Sequence, residues 1–150
     1  MPYEIYPRVF FGDEDYTETT ECQANITHIL NLTDDACSTH ANSREVCDVL
    51  HLYTEDTSTY PIMEKIWPRS RDFIDNALRA NINNRAYIHC HRGINRSACI
   101  AVAYVAYKTH KPVLEIIEEV RGSGRYILSN QGFVDALYMH FYVRKTPANA

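Results

Sequence analysis

Four short apolar stretches punctuate the first ninety residues: Arg8–Asp13 around Val9-Phe10-Phe11, then Ile26–Leu32, Val46–Tyr53 and Arg85–Ile88. Each is rich in β-branched or aromatic side chains and has polar or turn-forming neighbours, so each predicts a strand. Between the third and fourth the period changes. Ile62, Met63, Ile66, Phe73, Ile74, Ala77 and Leu78 recur every three or four residues from Pro61 to Ala80, which predicts an amphipathic helix laid on a sheet. Pro68 lies inside that segment and has no N–H to give, so a kink or a fresh helix start is expected there. Ser97–Lys108 is Ala, Val, Ile and Tyr at helical spacing and predicts a buried helix; Pro112–Val120 carries Val113, Ile116, Ile117 and Val120 on one face of another, which Gly122-Ser123-Gly124 ends. The acidic, Thr-rich stretch to Ala24 predicts a helix or loop, and Thr33–Glu45 and Thr54–Thr59 predict polar surface loops.

The fourth strand runs straight into a helix through His89-Cys90-His91-Arg92-Gly93-Ile94-Asn95-Arg96-Ser97. A strand-to-helix turn aims several backbone N–H groups at one point, at the positive end of a helix, and that point attracts anions. A cysteine held there is expected as a thiolate, because the ordinary thiol value of about 8.5 falls at helix N-termini and beside cations. Cys90 is therefore a candidate nucleophile. Arg96 can bring a planar fork of donors to two phosphate oxygens, and Gly93 lets the loop backbone approach a ligand closely. An inert core cysteine has no need of Gly and Arg at these offsets. Nor does His89-Cys90-His91 suit a metal: neighbouring side chains on extended backbone point to opposite sides, and no C-x-x-C or H-x-x-x-H partner occurs elsewhere. The loop is not a Walker A motif, having no Gly-Lys-Ser/Thr at the required spacing.

His89-Cys90, Gly93 and Arg96-Ser97 match H-C-x-x-G-x-x-R-[S/T], the signature that the cysteine-dependent protein tyrosine phosphatases carry. The chain most resembles their small dual-specificity branch, over about residues 5 to 144. That resemblance implies an α/β fold, with a central, mostly parallel twisted sheet of about four or five strands flanked by helices. It also implies a phosphate-binding loop of His91, Arg92, Gly93, Ile94, Asn95 and Arg96 around the nucleophile Cys90, and a supporting His89 behind the loop. Ser97 would assist departure of the thiolate. A general acid must come from outside the loop, and Asp56, on a loop after a strand, resembles the family's acid, with Glu55 as its neighbouring alternative. Ser129-Asn130-Gln131-Gly132-Phe133 resembles the family's Asn-x-Gly-Phe segment, so Asn130 is expected to brace the phosphate loop and a final helix to follow over Val134–Arg144. Arg121 and Arg125 are candidate contacts to a second acidic group on a substrate. Neither a metal nor an organic cofactor is implied.

Composition narrows the partners. With 150 residues, 45% of them hydrophobic, one domain is expected, residues 145–150 forming a frayed tail. The net charge of −4 and a pI near 5.9 speak against a bulk-charge binder of nucleic acid or anionic membrane. The start, Met1-Pro2-Tyr3-Glu4, has no basic region or apolar run, and no stretch of eighteen apolar residues occurs, so a soluble cytoplasmic or nuclear protein is expected. Five irregularly spaced cysteines suit a reducing compartment; Cys37, Cys47 and Cys99 are candidates to pair with an oxidised Cys90. The expected partner is a phosphorylated protein, carrying phosphotyrosine or phosphoserine/threonine. Two alternatives stand beside this. Asn95 before Arg96 also resembles the loop of cysteine-type RNA 5′-triphosphatases, although those enzymes usually lack the aspartate acid. A phosphoprotein-binding pseudophosphatase is the second, and it would be expected to lose Cys90 or Arg96, both of which are present.

Overall fold

In the computed structural model, which describes residues 2–34 and 48–143, one five-stranded sheet forms from β1 (Tyr3–Tyr6), β2 (Val9–Gly12), β3 (His28–Asn31), β4 (Asp48–His51) and β5 (Ala86–His89). The order across the sheet is β1-β2-β5-β3-β4. Only β1 runs antiparallel, at the edge; the other pairings are parallel. The mostly parallel sheet expected from the resemblance is therefore present. β1 has no counterpart among the four apolar stretches, because Tyr-Glu-Ile-Tyr covers one edge and stays partly exposed. Arg8 makes the reversal into β2 at φ 70°, and its guanidinium donates to the carbonyls of Leu78, Asn81 and Asn84.

β5 is buried at all four positions, as a central parallel strand covered on both faces must be. Period-two alternation divides the sheet's side chains. Val9, Phe11, Leu30 and Ile88 belong to the main core, whereas Ile29 and Tyr87 pack with Tyr16, Cys22 and Ile26 on the opposite face. That second face is covered by a short 3₁₀ turn, Asp15–Glu18, and by α1 (Thr20–Asn25), whose first turn is capped by the Thr19 hydroxyl accepting from Cys22 N–H.

Helices cover the main face: α2 (Ile62–Lys65), α3 (Trp67–Ala80), α4 (Arg96–Thr109), α5 (Val113–Gly122) and α6 (Gln131–Tyr138), continued by a π turn, Met139–Val143. Pro68 sits in the first turn of α3, where its missing N–H leaves no helical bond unmade, so a new helix begins there. Asp75 of α3 is buried and accepts from the hydroxyls of Tyr104 and Tyr107 at 2.7 and 2.8 Å, joining α3 to α4. The final helix starts three residues before the expected Val134. Asn130 is its N-cap, its side-chain oxygen accepting from Phe133 N–H. Of the predicted third strand, Asp48–His51 is observed; Val46, Cys47 and most of the predicted Thr33–Glu45 loop lie outside the described residues, as does the tail.

The register sets the site. Gly12 and Asn31 both stand level with His89, the last residue of β5. Cys90 therefore leaves the sheet at its carboxyl edge, between the turn after β2 and the segment after β3, where parallel α/β sheets open a crevice.

Candidate active site

The loop from Cys90 to Asn95 ends where α4 begins, at Arg96, and its backbone is fastened on several sides. Glu14 N–H donates to the His91 carbonyl at 3.2 Å, Leu128 N–H to that of Ile94 at 2.8 Å, and Leu32 N–H to that of His89 at 2.9 Å. Gly93 has φ +71°, and a Cβ there would stand 2.6 Å from the Gly12 carbonyl carbon, so only glycine lets the loop lie against the turn after β2. Behind the loop His89 is fully buried and stacked on Tyr87, ring centroids 6.0 Å apart; the Tyr87 hydroxyl donates to the Asp13 carbonyl at 2.6 Å. His89 and its neighbours thus join the loop to the turn that carries Asp13 and Glu14.

Cys90 opens into a cleft of about 450 Å³ whose lining includes Asp56, His91, Arg92, Ile94, Asn95, Arg96, Tyr126 and Ser129. Its Sγ lies 3.2 Å from the Ser97 hydroxyl, which is also 3.3 Å from the Gly12 carbonyl. The hydroxyl has one proton, and it can give that proton to the backbone or to sulfur when sulfur carries charge. Arg96 is buried; one terminal nitrogen donates to the Thr54 carbonyl at 3.1 Å and stands 3.8 Å from Asp34. Among the described residues its buried Nε has no partner. A guanidinium held by one corner with a donor unused, beside a cysteine at a helix N-terminus, is the donor set for a tetrahedral oxyanion.

Arg96 also reaches the loop that carries the acid, because Thr54 begins it. Asp56 lines the cleft, with its carboxylate held by two amides: Asn130 Nδ2 at 2.8 Å and Asn95 Nδ2 at 3.1 Å. Glu55 instead accepts from the Tyr53 hydroxyl at 3.3 Å. The loop's other end rests on α6. A Cβ on Gly132 would stand 1.9 Å from the Ser58 carbonyl oxygen.

Asn130 acts differently from the side-chain brace expected of it. Its backbone N–H donates to Asn95 Oδ1 at 2.9 Å, which holds the phosphate loop, while its side chain holds Asp56 and caps α6. Asn95, read in the sequence only as a loop position with two family resemblances, is the link between loop and acid, and it also pairs with the Ser129 hydroxyl. Arg121 and Arg125, the candidate substrate contacts, are not among the residues that line the cleft. The Arg121 guanidinium donates to the carbonyls of Ile127 and Leu128, and Arg125 lies over the rings of Tyr3 and Phe11. Each is occupied in fastening the chain that leads to Ser129 and Asn130. Cys99 is fully buried, and burial pushes its thiol value up; among the described residues Cys90 and Cys99 form no disulfide, and Cys37 and Cys47 lie outside those residues. Four residues escaped the sequence reading. Glu14 and Asp34 flank the loop, Ser129 and Tyr126 line the cleft, and only Ser129, adjacent to Asn130 in the Asn-x-Gly-Phe segment, had a local signal.

A cysteine on a strand-to-helix turn, a buried arginine beside it and a carboxylate tethered across the cleft form one candidate active site. The family model for the dual specificity phosphatase catalytic domain matches residues 9–142, and the chain belongs to that family. Human dual specificity protein phosphatase 26 is 28% identical over 138 residues, covering 89% of this chain and 64% of its own length, so the chain spans under two thirds of that relative. Among solved structures, DUSP15 superimposes with a TM-score of 0.85 at 20% identity, covering 97% of this chain and 90% of its own. The human tyrosine phosphatase-like serine/threonine/tyrosine-interacting protein does so with 0.84 at 24%, covering 96% and 97%. At such identities the two structures speak for the fold alone. The dual-specificity family and its fold, expected from the signature loop, are thereby established.

Proposed function

We propose that the protein is a dual-specificity protein phosphatase that hydrolyses phosphotyrosine and phosphoserine/threonine through a phosphocysteine. The observation that carries this is the convergence on one cleft of Cys90, Arg96 with its unpartnered buried Nε, and Asp56. Cys90 as thiolate attacks phosphorus in line with the leaving oxygen. Arg96 and the N-terminus of α4 receive the charge of the equatorial oxygens, which is where such transition states gather it. Asp56 gives its proton to the departing oxygen, so that an alkoxide or phenolate is never released as such. Water then attacks the phosphocysteine with Asp56, now a carboxylate, as base, and the Ser97 hydroxyl donates to sulfur as charge returns to it.

The match to the dual specificity phosphatase catalytic domain supports both aryl and alkyl phosphates as substrates. Asn95 supports the protein reading over the RNA one, because its amide is engaged by Asp56 and by the Ser129–Asn130 turn. Its presence is explained without an RNA end. A nucleophilic thiol works only where it stays reduced, so the cytoplasm is the compartment proposed. Among the described residues no helix is long and apolar enough to cross a membrane. Phosphate release is measured from phosphotyrosine, phosphothreonine and phosphoinositide substrates and triphosphate-ended RNA, with Cys90→Ser and Asp56→Asn beside the wild type. Turnover of both phosphopeptides, abolished by Cys90→Ser, is expected; RNA triphosphate as the preferred substrate would reverse the assignment.

A further inference from the structure

His91 follows the nucleophile and lines the cleft, and both of its ring nitrogens face carboxylates from other parts of the fold. Nδ1 lies 3.1 Å from Glu14 Oε2, on the turn after β2, and Nε2 lies 3.1 Å from Asp34 Oδ1, just beyond β3. A neutral imidazole has one N–H and one lone pair and can donate to only one of two carboxylates. The double contact fits the imidazolium. The same Asp34 oxygen stands 3.8 Å from the Arg96 guanidinium, so His91 and Arg96 share it. Among the described residues the charged groups facing the ring are Glu14 and Asp34, both negative, and Arg96, with exposed Arg92 next in the chain.

Two carboxylates at the rim of a site for a phosphate dianion oppose the ligand, and Asp34 in addition competes with it for Arg96. The geometry points to His91 as a positioning residue that, as imidazolium, neutralises Glu14 and Asp34 and so keeps Arg96 available to phosphate. This rests on the phosphatase reading above and adds to it a determinant of oxyanion affinity outside the signature positions. When His91 loses its proton, at most one carboxylate keeps a hydrogen bond to the ring and neither keeps a compensating charge from it. Among the described residues Asp34 then has Arg96 as its remaining cation. The hydrogen bond to Glu14, followed by that to Asp34, raises His91 above the ordinary histidine value, so the clamp is complete in mildly acid solution and is lost as pH rises through that raised value.

The test uses tungstate, an oxyanion that stays a dianion across the range and undergoes no turnover. Its binding to Cys90→Ser protein is measured by calorimetry from pH 6 to 8.5, the serine leaving no ionisable group at the nucleophile position. In this background tungstate affinity is expected to fall about three- to fivefold across the range, the scale of losing one half-exposed ion pair. Adding His91→Gln should weaken binding at pH 6 to the level of the pH 8.5 protein and flatten the profile. Adding Asp34→Asn should tighten binding at pH 8.5 and also flatten it. Because Asp34 is half exposed, that variant serves if His91→Gln folds poorly. Parallel slopes in all three proteins would overturn the role of His91 alone. No tungstate binding at any pH, together with no phosphopeptide turnover by the wild type, would overturn the phosphatase reading and this inference with it.

Discussion

Removing the Asn95 side chain should cut catalysis selectively, according to how much the leaving group needs a proton. Asn95→Ala deletes one of the two amide tethers on Asp56 and the acceptor of Asn130 N–H, while Asn130 Nδ2 still holds the other carboxylate oxygen at 2.8 Å. A hydrogen bond of this kind at a half-exposed site contributes about 1 kcal/mol. If that energy serves to place the acid, its loss slows the proton-dependent step about fivefold. For a phosphoserine peptide, whose alkoxide cannot leave unprotonated, kcat/KM should therefore fall about fivefold. For 4-nitrophenyl phosphate, whose phenolate leaves readily, the change should stay within about twofold. The assay compares the two substrates on Asn95→Ala, Asp56→Asn and the double variant. In the Asp56→Asn background the Asn95 substitution should add nothing, since no proton remains to be placed. An equal fall on both substrates, or full additivity in the double variant, would refute the tether and make Asn95 an ordinary loop support.

Three further outcomes follow from the same geometry. Gly132→Ala drives a methyl into the Ser58 carbonyl, so the acid loop must shift; overpacking of about 1–3 kcal/mol should appear as a lowered Tm, and alkyl phosphate turnover should fall further than nitrophenyl phosphate turnover. Ser97→Ala should leave the first chemical step nearly unchanged but slow phosphoenzyme breakdown about tenfold, the low end of about 1.5–3 kcal/mol for a hydrogen bond to a charged group, seen as a larger burst in rapid-quench kinetics. The His91 bridge should also register in stability against pH. Asp34 is held below the usual carboxylate range, first by its hydrogen bond to His91, and His91 is raised, first by Glu14. The Asp34 contribution is present above the unfolded carboxylate value and lost as pH falls through the lowered one; the His91 contribution is present below the unfolded histidine value and lost as pH rises through the raised one. The Tm difference between wild type and His91→Gln should therefore be widest in mildly acid solution and close above neutrality; a difference constant to pH 9 would contradict the bridge.

What was legible in the chain was what lies close together in it. The nine residues from His89 to Ser97 contain the proposed nucleophile, the close-approach glycine, the arginine proposed to hold the oxyanion and the thiol's hydrogen-bond partner, because one strand-to-helix turn supplies them all. Hydrophobic period placed the core strands and the helices that cover them, and Pro68 marked the start of α3 by a local steric rule. Edge strand β1 was missed because its tyrosines and glutamate remain partly exposed, so no apolar signal marks it. The start of α6 was displaced because the capping asparagine was read for its role toward the loop and not as a helix signal. Long-range pairings left no local trace. Asn95 meets Asp56 across 39 residues of chain, and His91 meets Asp34 and Glu14 across 57 and 77, contacts that arise where four strand ends come level. Arg121 and Arg125, near the site in sequence, are engaged by backbone carbonyls and by aromatic rings, a competition that spacing cannot reveal.

In the proposed mechanism the phosphoryl group passes through the sulfur of Cys90. Asp56→Asn protein, slowed in phosphoenzyme hydrolysis, is mixed with a labelled phosphotyrosine peptide, quenched in acid within milliseconds and digested for mass spectrometry. A phosphate is expected on the peptide containing Cys90, formed at the rate of the product burst and absent from Cys90→Ser protein. Full turnover with no label on Cys90, or turnover surviving in Cys90→Ser, would contradict it.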